Sequence, residues 1–209
     1  MENEGFVKTL PPSGCLDYRP GWLSPVQADE LFDCLRNQIE WQSRSIMLFG
    51  RTVMQPRLLC FMGDEGIHYR YSNDDYHAVG WHPAVLELKY RLQAESVGDF
   101  NSVLLNLYRD GQDSMGWHAD DEPELGVEPV IASISLGSNR RFVLRGKNLK
   151  TEKYELQPDH GSLIVMSGDL QHHWQHHVPR TARRVGARIN LTFRRIHPGR
   201  RRVARQHRP

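Results

Sequence analysis

The sequence predicts an α+β fold that is mainly β, a sandwich or jelly roll with helices packed on its outside. Two observations predict it: helical patterns come first, and from about residue 100 the chain consists of short strands joined by polar turns. Helices followed by many short strands are typical of sheets that the helices cover from outside. The 209 residues suffice for one domain with a sizeable core.

The first third of the chain contains two predicted helices. Ser24 is a suitable N-cap, Pro25 occupies the first helical position, and apolar residues then recur at helical spacing. The second helix is predicted over residues 83–97, and Gly98 follows its end. In residues 41–72, between the two helices, turn-forming residues separate short segments, and this pattern predicts strands and turns.

The last predicted strand is the most informative. Residues 188–194 alternate between polar and apolar side chains, so that one face carries two arginines, an asparagine and a threonine. Such a face ordinarily meets water. Inside a barrel it would instead present forked donors to a small dicarboxylate. The run 101–108 likewise places Asn106 and Tyr108 on one face. The predicted strands are 102–108, 131–136, 141–144, 162–166 and 187–194, with a hairpin turn at 137–139.

Residues 117–122 contain a histidine and a carboxylate two positions apart, His118 and Asp120. Side chains alternate along a strand, so both would point to the same face and could bind one metal ion. A third donor must come from elsewhere, and the segment 171–179 offers four histidines. Two histidines and one carboxylate form the facial triad of non-haem Fe(II) oxygenases. The alternative is a solvated acidic loop.

The charge distribution is asymmetric. Residues 1–169 carry a net charge of −9, and the last 40 residues carry +11 without one acidic side chain. This separation suggests a polyanionic partner, nucleic acid or a membrane surface, with a solubilising tail as the alternative. No apolar run can span a bilayer, and the acidic start is unlike a signal peptide. Three widely spaced cysteines, Cys15, Cys34 and Cys60, predict free thiols in a reducing compartment.

Four segments carry a family resemblance: residues 106–108, 117–123, 173–176 and 188–194. In this order and spacing they resemble the AlkB-type Fe(II)- and 2-oxoglutarate-dependent dioxygenases, which remove alkyl groups from nucleobases. The resemblance implies a double-stranded β-helix, or jelly roll, with N-terminal helices and a β-hairpin nucleotide-recognition lid. The implied division is 1–99 for the helices and lid, 100–197 for the catalytic core and 198–209 for a basic tail.

The resemblance also implies the roles of the central residues. The metal ligands would be His118, Asp120 and His176, whereas the neighbouring histidines His172, His173 and His177 would pack behind the ligands or face the substrate. The co-substrate 2-oxoglutarate would be held by Asn106, Tyr108, Arg188, Asn190 and Arg194. In this arrangement Arg188 and Tyr108 take the distal carboxylate, and Arg194, also a catalytic candidate, lies beside Asp120.

The N-terminal third resembles the substrate-binding part of the duplex-repairing AlkB homologues. Phe49 matches an aromatic wedge that fills the gap left by a flipped nucleotide, with a core residue as the alternative reading. Tyr69 and Tyr71 match lid positions that hydrogen-bond and stack on the flipped base. Arg57 would contact a backbone phosphate. The Phe49 hairpin, Tyr69, Tyr71 and the basic C-terminal end are the features that distinguish a DNA dealkylase from oxygenases with other substrates.

The implied reaction is oxidative demethylation of N-alkylated bases in DNA, such as 1-methyladenine and 3-methylcytosine, with release of formaldehyde, succinate and CO₂. Glu122 matches the family position that reads the base edge, with Asp121 as the alternative, and a carboxylate there would favour cationic lesions. The expected partner is alkylated DNA, duplex or single-stranded, or RNA; we expect no membrane contact and a cytoplasmic monomer. Two other functions stay open: an oxygenase acting on RNA, a protein or a small molecule, and a non-catalytic nucleic-acid-binding jelly roll.

Overall fold

The computed structural model describes residues 4–48, 50–71, 74–148 and 151–199. The helices in this part of the chain are α1 (Pro25–Gln38), α2 (Pro83–Ala94) and the single-turn α3 (Leu170–His173). Within the described residues, no helix is long and apolar enough to cross a membrane. The rest of the regular structure is almost entirely β, so the predicted fold class is confirmed.

The strands form two large antiparallel sheets. In chain order they are β1 (Phe6–Leu10), β2 (Gly14–Arg19), β3 (Ser45–Leu48), β4 (Arg51–Met54), β5 (Leu58–Gly63), β6 (His68–Tyr71), β7 (Asp74–His77), β8 (Ser102–Tyr108), β9 (Met115–His118), β10 (Ile131–Gly137), β11 (Phe142–Gly146), β12 (Lys153–Leu156), β13 (Ser162–Ser167), β14 (Trp174–Val178) and β15 (Arg188–Arg194). The major sheet has the order β1-β2-β13-β10-β15-β8-β5, and the minor sheet has the order β12-β11-β14-β9. Strand pairs β3–β4 and β6–β7 form separate hairpins.

Two central strands of the major sheet have one apolar face and one mixed face. The apolar face of β8, with Val103, Leu105 and Leu107, packs in the core that α1 and α2 cover. Asn106 and Tyr108 on the other face line a pocket between the sheets. β15 repeats this pattern, and its polar residues line the same pocket. Because β8 and β15 are paired neighbours, their polar side chains lie on the same face of the sheet. The polar face of residues 188–194 therefore lies inside the barrel.

The helices begin where the sequence predicts. The hydroxyl of Ser24 accepts a hydrogen bond from the backbone N–H of Gln27 at 3.3 Å, and the side chain of Gln27 accepts one from the N–H of Ser24 at 3.0 Å. This reciprocal capping box satisfies two N–H groups that would otherwise lack helical partners. The second helix ends at Ala94 rather than at residue 97, because Ser96 adopts a positive φ of 56° that interrupts helical geometry.

The predicted hairpin at residues 137–139 is wrong. β10 pairs with β13 and β15 in the major sheet, whereas β11 pairs with β12 and β14 in the minor sheet. The turn after Gly137 therefore carries the chain from one sheet to the other, as jelly-roll connections do. A hairpin and a crossing between sheets use the same turn residues, so the local sequence does not distinguish them.

Gly137 occupies a position that has no space for a side chain. Its φ is +84°, and a Cβ built there would lie 2.4 Å from the carbonyl oxygen of Ala187 and 2.7 Å from the ring of Phe32 on α1. Its N–H donates to Nδ1 of His160 at 2.7 Å. The crossing between the sheets thus depends on both the backbone conformation and the close packing of α1.

We expect Gly137→Ala to lower the free energy of unfolding by about 2–4 kcal/mol, because it adds a strained φ and a steric clash in a packed region. Urea denaturation measures the loss. The matched control is Gly80→Ala, since a Cβ at Gly80 meets no atom within 4 Å, and its effect should stay within about 0.5 kcal/mol. Equal losses for the two variants would show that position 137 has no special need for glycine.

Candidate active site

Two histidines face each other across paired strands of the minor sheet. His118 is the last residue of β9, and its Cα partner on β14 is His176. The two ring centroids are 4.2 Å apart, because residues directly opposite in an antiparallel pair point to the same face of the sheet. Strand pairing therefore brings together two imidazoles that are far apart in the chain.

Asp120 lies beyond the end of β9, so the strand alternation expected for His118 and Asp120 does not explain its position. Its backbone N–H donates to Oε1 of Gln171 at 2.9 Å, and its Oδ1 accepts from Nη2 of Arg194 at 2.9 Å. Asp120 has no exposed surface. These two contacts, from α3 and from β15, hold the carboxylate beside the histidine pair.

The three side chains can hold a divalent metal ion. One ligand atom from each lies within 4.8 Å of the others. Nδ1 of His118 donates to the carbonyl oxygen of Gly116 at 2.9 Å, so Nε2 carries the lone pair of the neutral ring. Among the described residues, Oδ2 of Asp120 and Nδ1 of His176 are buried without a hydrogen-bond partner. A bound ion accounts for such buried polar atoms, which are rare in proteins.

The protonation states of these residues suit metal binding. Burial lowers the pKa of His118 and, together with the nearby imidazole of His118, holds the pKa of His176 well below its ordinary value. Burial alone would raise the pKa of Asp120, but the positive charge of Arg194 and the two imidazoles hold it below the usual range. The set therefore offers two neutral imidazoles and one carboxylate, the donors of non-haem Fe(II) oxygenases.

A pocket extends from the three residues between the two sheets. At the opposite end of β15 from Arg194, the side chain of Arg188 is buried and its Nη2 donates to Oγ of Ser135 at 2.9 Å. Its guanidinium lies over the ring of Tyr108, 5.3 Å from the centroid. In the described part of the chain, Nε and Nη1 of Arg188 have no hydrogen-bond partner. A carboxylate of 2-oxoglutarate fits these donors, because guanidinium pairs strongly with carboxylates.

Arg57 lies in the interior rather than at the surface. Its side chain is buried, and its Nε donates to Oδ1 of Asn106 at 2.7 Å. The structure thus differs from the expected phosphate contact, and Arg57 instead fixes a pocket residue. Asn190 is also engaged, since it donates to Oγ of Ser133 at 2.8 Å and accepts from Thr192 at 3.0 Å. Both predicted asparagines line the pocket, each held by other protein groups.

The two candidate carboxylates after Asp120 have different surroundings. Oδ2 of Asp121 accepts from Nζ of Lys147 at 2.7 Å, and this pair is partly exposed. Glu122 is half-buried and precedes the 3-10 turn Pro123–Leu125, where its carbonyl accepts from the N–H of Leu125. The ammonium of Lys147 compensates the charge of Asp121.

Two of the predicted substrate residues of the N-terminal third fall in a hairpin. Tyr69 and Tyr71 belong to β6, where their Cα partners on β7 are Tyr76 and Asp74. The prediction for Phe49 lies outside the described residues. The neighbouring strands β3 and β4 pair in register from Ser45 with Met54 to Leu48 with Arg51. A hairpin is therefore present where the resemblance implied one.

Gln171 and Lys147 were missed by the sequence analysis. Gln171 is completely buried, and besides accepting from Asp120 it contacts Sδ of Met166 at 3.5 Å. Nζ of Lys147 donates to the carbonyl oxygen of Gln171 at 2.8 Å as well as to Asp121. The only signal for Gln171 is its place directly before the histidines. A glutamine in a short helix does not reveal that it will reach a distant loop.

The three remaining histidines of this segment lie outside the ligand cluster. His172 contacts a backbone carbonyl, and Nε2 of His173 is 3.4 Å from Asp169. The ring of His177 stacks on Trp117 with centroids 3.7 Å apart. Burial and nearby arginines lower the pKa of His177 to about 4, so this ring is neutral. The stack joins the residues adjacent to His118 and His176 and holds β9 against β14.

Comparison with known proteins agrees with this geometry. The model of the 2OG-Fe(II) oxygenase superfamily matches residues 16–194. The chain is 37% identical over 212 residues to the alpha-ketoglutarate-dependent dioxygenase alkB homolog 3 of Bos taurus, covering 95% of this chain and 73% of that protein. The chain belongs to the AlkB family of 2OG-Fe(II) oxygenases. This dioxygenase therefore uses Fe(II) and 2-oxoglutarate, for which the His-Asp-His cluster and the arginine-lined pocket provide the binding groups.

Other AlkB relatives extend the similarity. The DNA oxidative demethylase ALKBH2 of Bos taurus is 36% identical over 183 residues, covering 83% of this chain and 66% of that protein. The solved structure of OsALKBH1 superposes with a TM-score of 0.64 over 90% of this chain and 99% of that chain, at 17% identity. At this identity the structural match shows the shared fold alone.

We expect Gln171→Leu to weaken divalent metal binding by about 10- to 100-fold, because Asp120 loses the contact that holds its backbone in place. Titration of the metal-free protein with Mn(II), followed calorimetrically, measures the change. The control is Gln175→Leu, because the side-chain oxygen of Gln175 accepts from Arg145, whereas that of Gln171 accepts from Asp120. Wild-type affinity in the Gln171 variant would show that Asp120 does not depend on this bond.

Proposed function

We propose that this chain is a direct-reversal DNA repair enzyme that removes alkyl groups from ring nitrogens of nucleobases, of the 1-methyladenine and 3-methylcytosine type. The observation that carries the proposal is the cluster of His118, Asp120 and His176 in a pocket that also contains Arg188. Relatives named as DNA oxidative demethylases support DNA as the substrate class.

Fe(II) bound at the cluster, with 2-oxoglutarate and O₂, supplies the oxidation of the N-alkyl carbon, and the products are the restored base, formaldehyde, succinate and CO₂. The role of the protein is to hold and orient the reactants. The neutral rings of His118 and His176 would each offer a nitrogen lone pair to the metal ion, and Asp120 would contribute one negative charge. Arg194 keeps that carboxylate ionised and oriented through its contact at 2.9 Å.

The pocket walls separate the reaction from water. Apolar side chains from both sheets, Leu104, Met115, Phe142, Met166 and Val178, line the space beside the ligands. Arg188, Tyr108 and Ser135 form a polar end that suits the distal carboxylate of 2-oxoglutarate. A keto acid held there would have its other end directed toward the metal ligands, because Arg188 and Arg194 lie at opposite ends of one strand.

Charge supports a cationic lesion as the substrate. Alkylation at N1 of adenine or N3 of cytosine gives the base a positive charge, and the half-buried Glu122 lies two residues from Asp120. A carboxylate near the base favours the charged, alkylated form over the neutral one. We further propose that the enzyme acts as a cytoplasmic monomer on duplex or single-stranded DNA.

We expect Fe(II) and 2-oxoglutarate to support formaldehyde release from 3-methylcytosine in single-stranded DNA, duplex DNA, or both. His118→Ala should reduce the rate by more than about 100-fold, because the metal site loses one of three protein ligands. His173→Ala is the matched control, since His173 contacts Asp169 outside the cluster, and it should keep the wild-type rate. Turnover confined to RNA, or absent from all three nucleic acids, would contradict the DNA repair proposal.

We expect Phe49→Ala to reduce repair of duplex DNA by about 10-fold while changing single-strand repair less than about twofold. An aromatic wedge compensates part of the cost of extruding a base from a duplex, and stacking contributes about 1–3 kcal/mol. Matched duplex and single-stranded substrates with one 3-methylcytosine provide the measurement. Equal losses on the two substrates would show that Phe49 has a general packing role instead.

A further inference from the structure

Arg140 is a buried cation that lies behind the co-substrate pocket. Its side chain is 3% exposed, and its guanidinium carbon lies 5.7 Å from the centroid of the Tyr108 ring. The guanidinium of Arg188 lies over the same ring at 5.3 Å. Tyr108 therefore contacts two buried positive charges, of which only Arg188 lines the pocket.

The hydrogen bonds of Arg140 go to backbone carbonyls. Nη1 donates to the carbonyl oxygen of Asp110 at 2.8 Å, and Nη2 donates to those of Asp113 and Pro179, both at 2.7 Å. These bonds join the segments that follow β8 and β14 at the end of the barrel where Tyr108 lies. Carbonyl oxygens satisfy the N–H donors but carry no net charge, so they do not neutralise the guanidinium.

Two acidic residues lie near Arg140, Asp110 and Asp113, and the second is paired with another arginine. Both oxygens of the Asp113 carboxylate accept from Arg109, with Nε and Nη2 each at 2.8 Å. The carboxylates of Asp110 and Asp113 attract the guanidinium of Arg140 through space, whereas its hydrogen bonds go to carbonyl oxygens. Burying this charge therefore still costs free energy that a further negative group would offset. Burial lowers the pKa of Arg188, and the positive charge of Arg140 lowers it further. A carboxylate bound at Arg188 would relieve this repulsion.

We propose that Arg140 is a positioning residue that acts through Tyr108 and Arg188 to make the pocket selective for a keto acid with a second carboxylate. The inference rests on the proposed function, because it concerns the same co-substrate pocket. Arg140 supplies positive potential at the Arg188 end of the pocket and fixes the Tyr108 ring from behind. A keto acid without a distal carboxylate gains nothing from this charge.

The test compares two keto acids of equal carbon number, 2-oxoglutarate and 2-oxopentanoate, which lacks the distal carboxylate. Their dissociation constants are measured by calorimetry on the full chain loaded with Mn(II), without turnover. Arg140→Met and Arg140→Gln should weaken 2-oxoglutarate binding about 10-fold, the effect of removing one nearby interior charge. Binding of 2-oxopentanoate should change less than about twofold, because the keto-acid end is untouched.

Two further variants separate charge from packing. Arg140→Lys keeps the charge and should keep the preference for 2-oxoglutarate within about threefold of wild type. Arg141→Met is the matched control, since Arg141 is the next residue, is half-exposed and pairs with Glu155 at 2.7 Å. Its preference should equal that of the wild type.

Equal weakening of both keto acids in the neutral variants would overturn the inference and leave Arg140 a purely structural role. An unchanged preference would also overturn it. If neither neutral variant folds, Arg140→Lys decides alone, because a 10-fold loss of preference in a variant that keeps the charge contradicts the electrostatic account. A wild-type chain that does not bind 2-oxoglutarate would instead contradict the proposed function.

Discussion

The register between β9 and β14 is the constraint on which the active site depends. With His118 opposite His176, both imidazoles project to the inner face of the minor sheet. A slip of one residue would turn one of them to the outer face, because side chains alternate along a strand. The stack of Trp117 on His177, formed by the adjacent residues on that outer face, opposes such a slip. The metal site and the stack that supports it thus lie on opposite faces of the same strand pair.

The major sheet supplies the rest of the pocket by the same alternation. One face of β8 and β15 completes the core under the helices, and the other face presents amide, phenol and guanidinium groups to the space between the sheets. Burying so many polar groups is tolerated because they bond to one another, as Arg57 does to Asn106 and Asn190 to Ser133. Within the described residues, Nε and Nη1 of Arg188 lack protein partners, and a carboxylate can occupy these donors.

Local patterns in the sequence predicted the start of α1 and five strands of the core, β8, β10, β11, β13 and β15. They left the polar face of β15 open between solvent and a barrel interior. They could not predict which strands pair, so the turn at Gly137 was assigned to a hairpin although it crosses between sheets. They also could not place Arg57, since a basic residue in a strand-rich segment is ordinarily at the surface. Gln171 was missed for a related reason, because its contact with Asp120 depends on how α3 packs, which no local pattern encodes.

The ligand set came partly from spacing and partly from family resemblance. The two-residue spacing of His118 and Asp120 predicted that both bind the metal, and the structure brings them together. Strand alternation is not the cause, because Asp120 lies beyond the end of β9 and is held by Arg194 and Gln171. Spacing alone left four histidines open as the third ligand. The structure separates them by topology, because His176 faces inward whereas His177 packs on the opposite side of the sheet.

Among the strands that the structure describes, β9 lies at the edge of the minor sheet and pairs with β14 alone. β15, by contrast, lies between β10 and β8 in the interior of the major sheet. Edge strands open locally at a lower free energy than central ones. Local opening of β9 would release His118 and leave Arg188 and Arg194 in place, so a chelator would remove the ion without unfolding the major sheet.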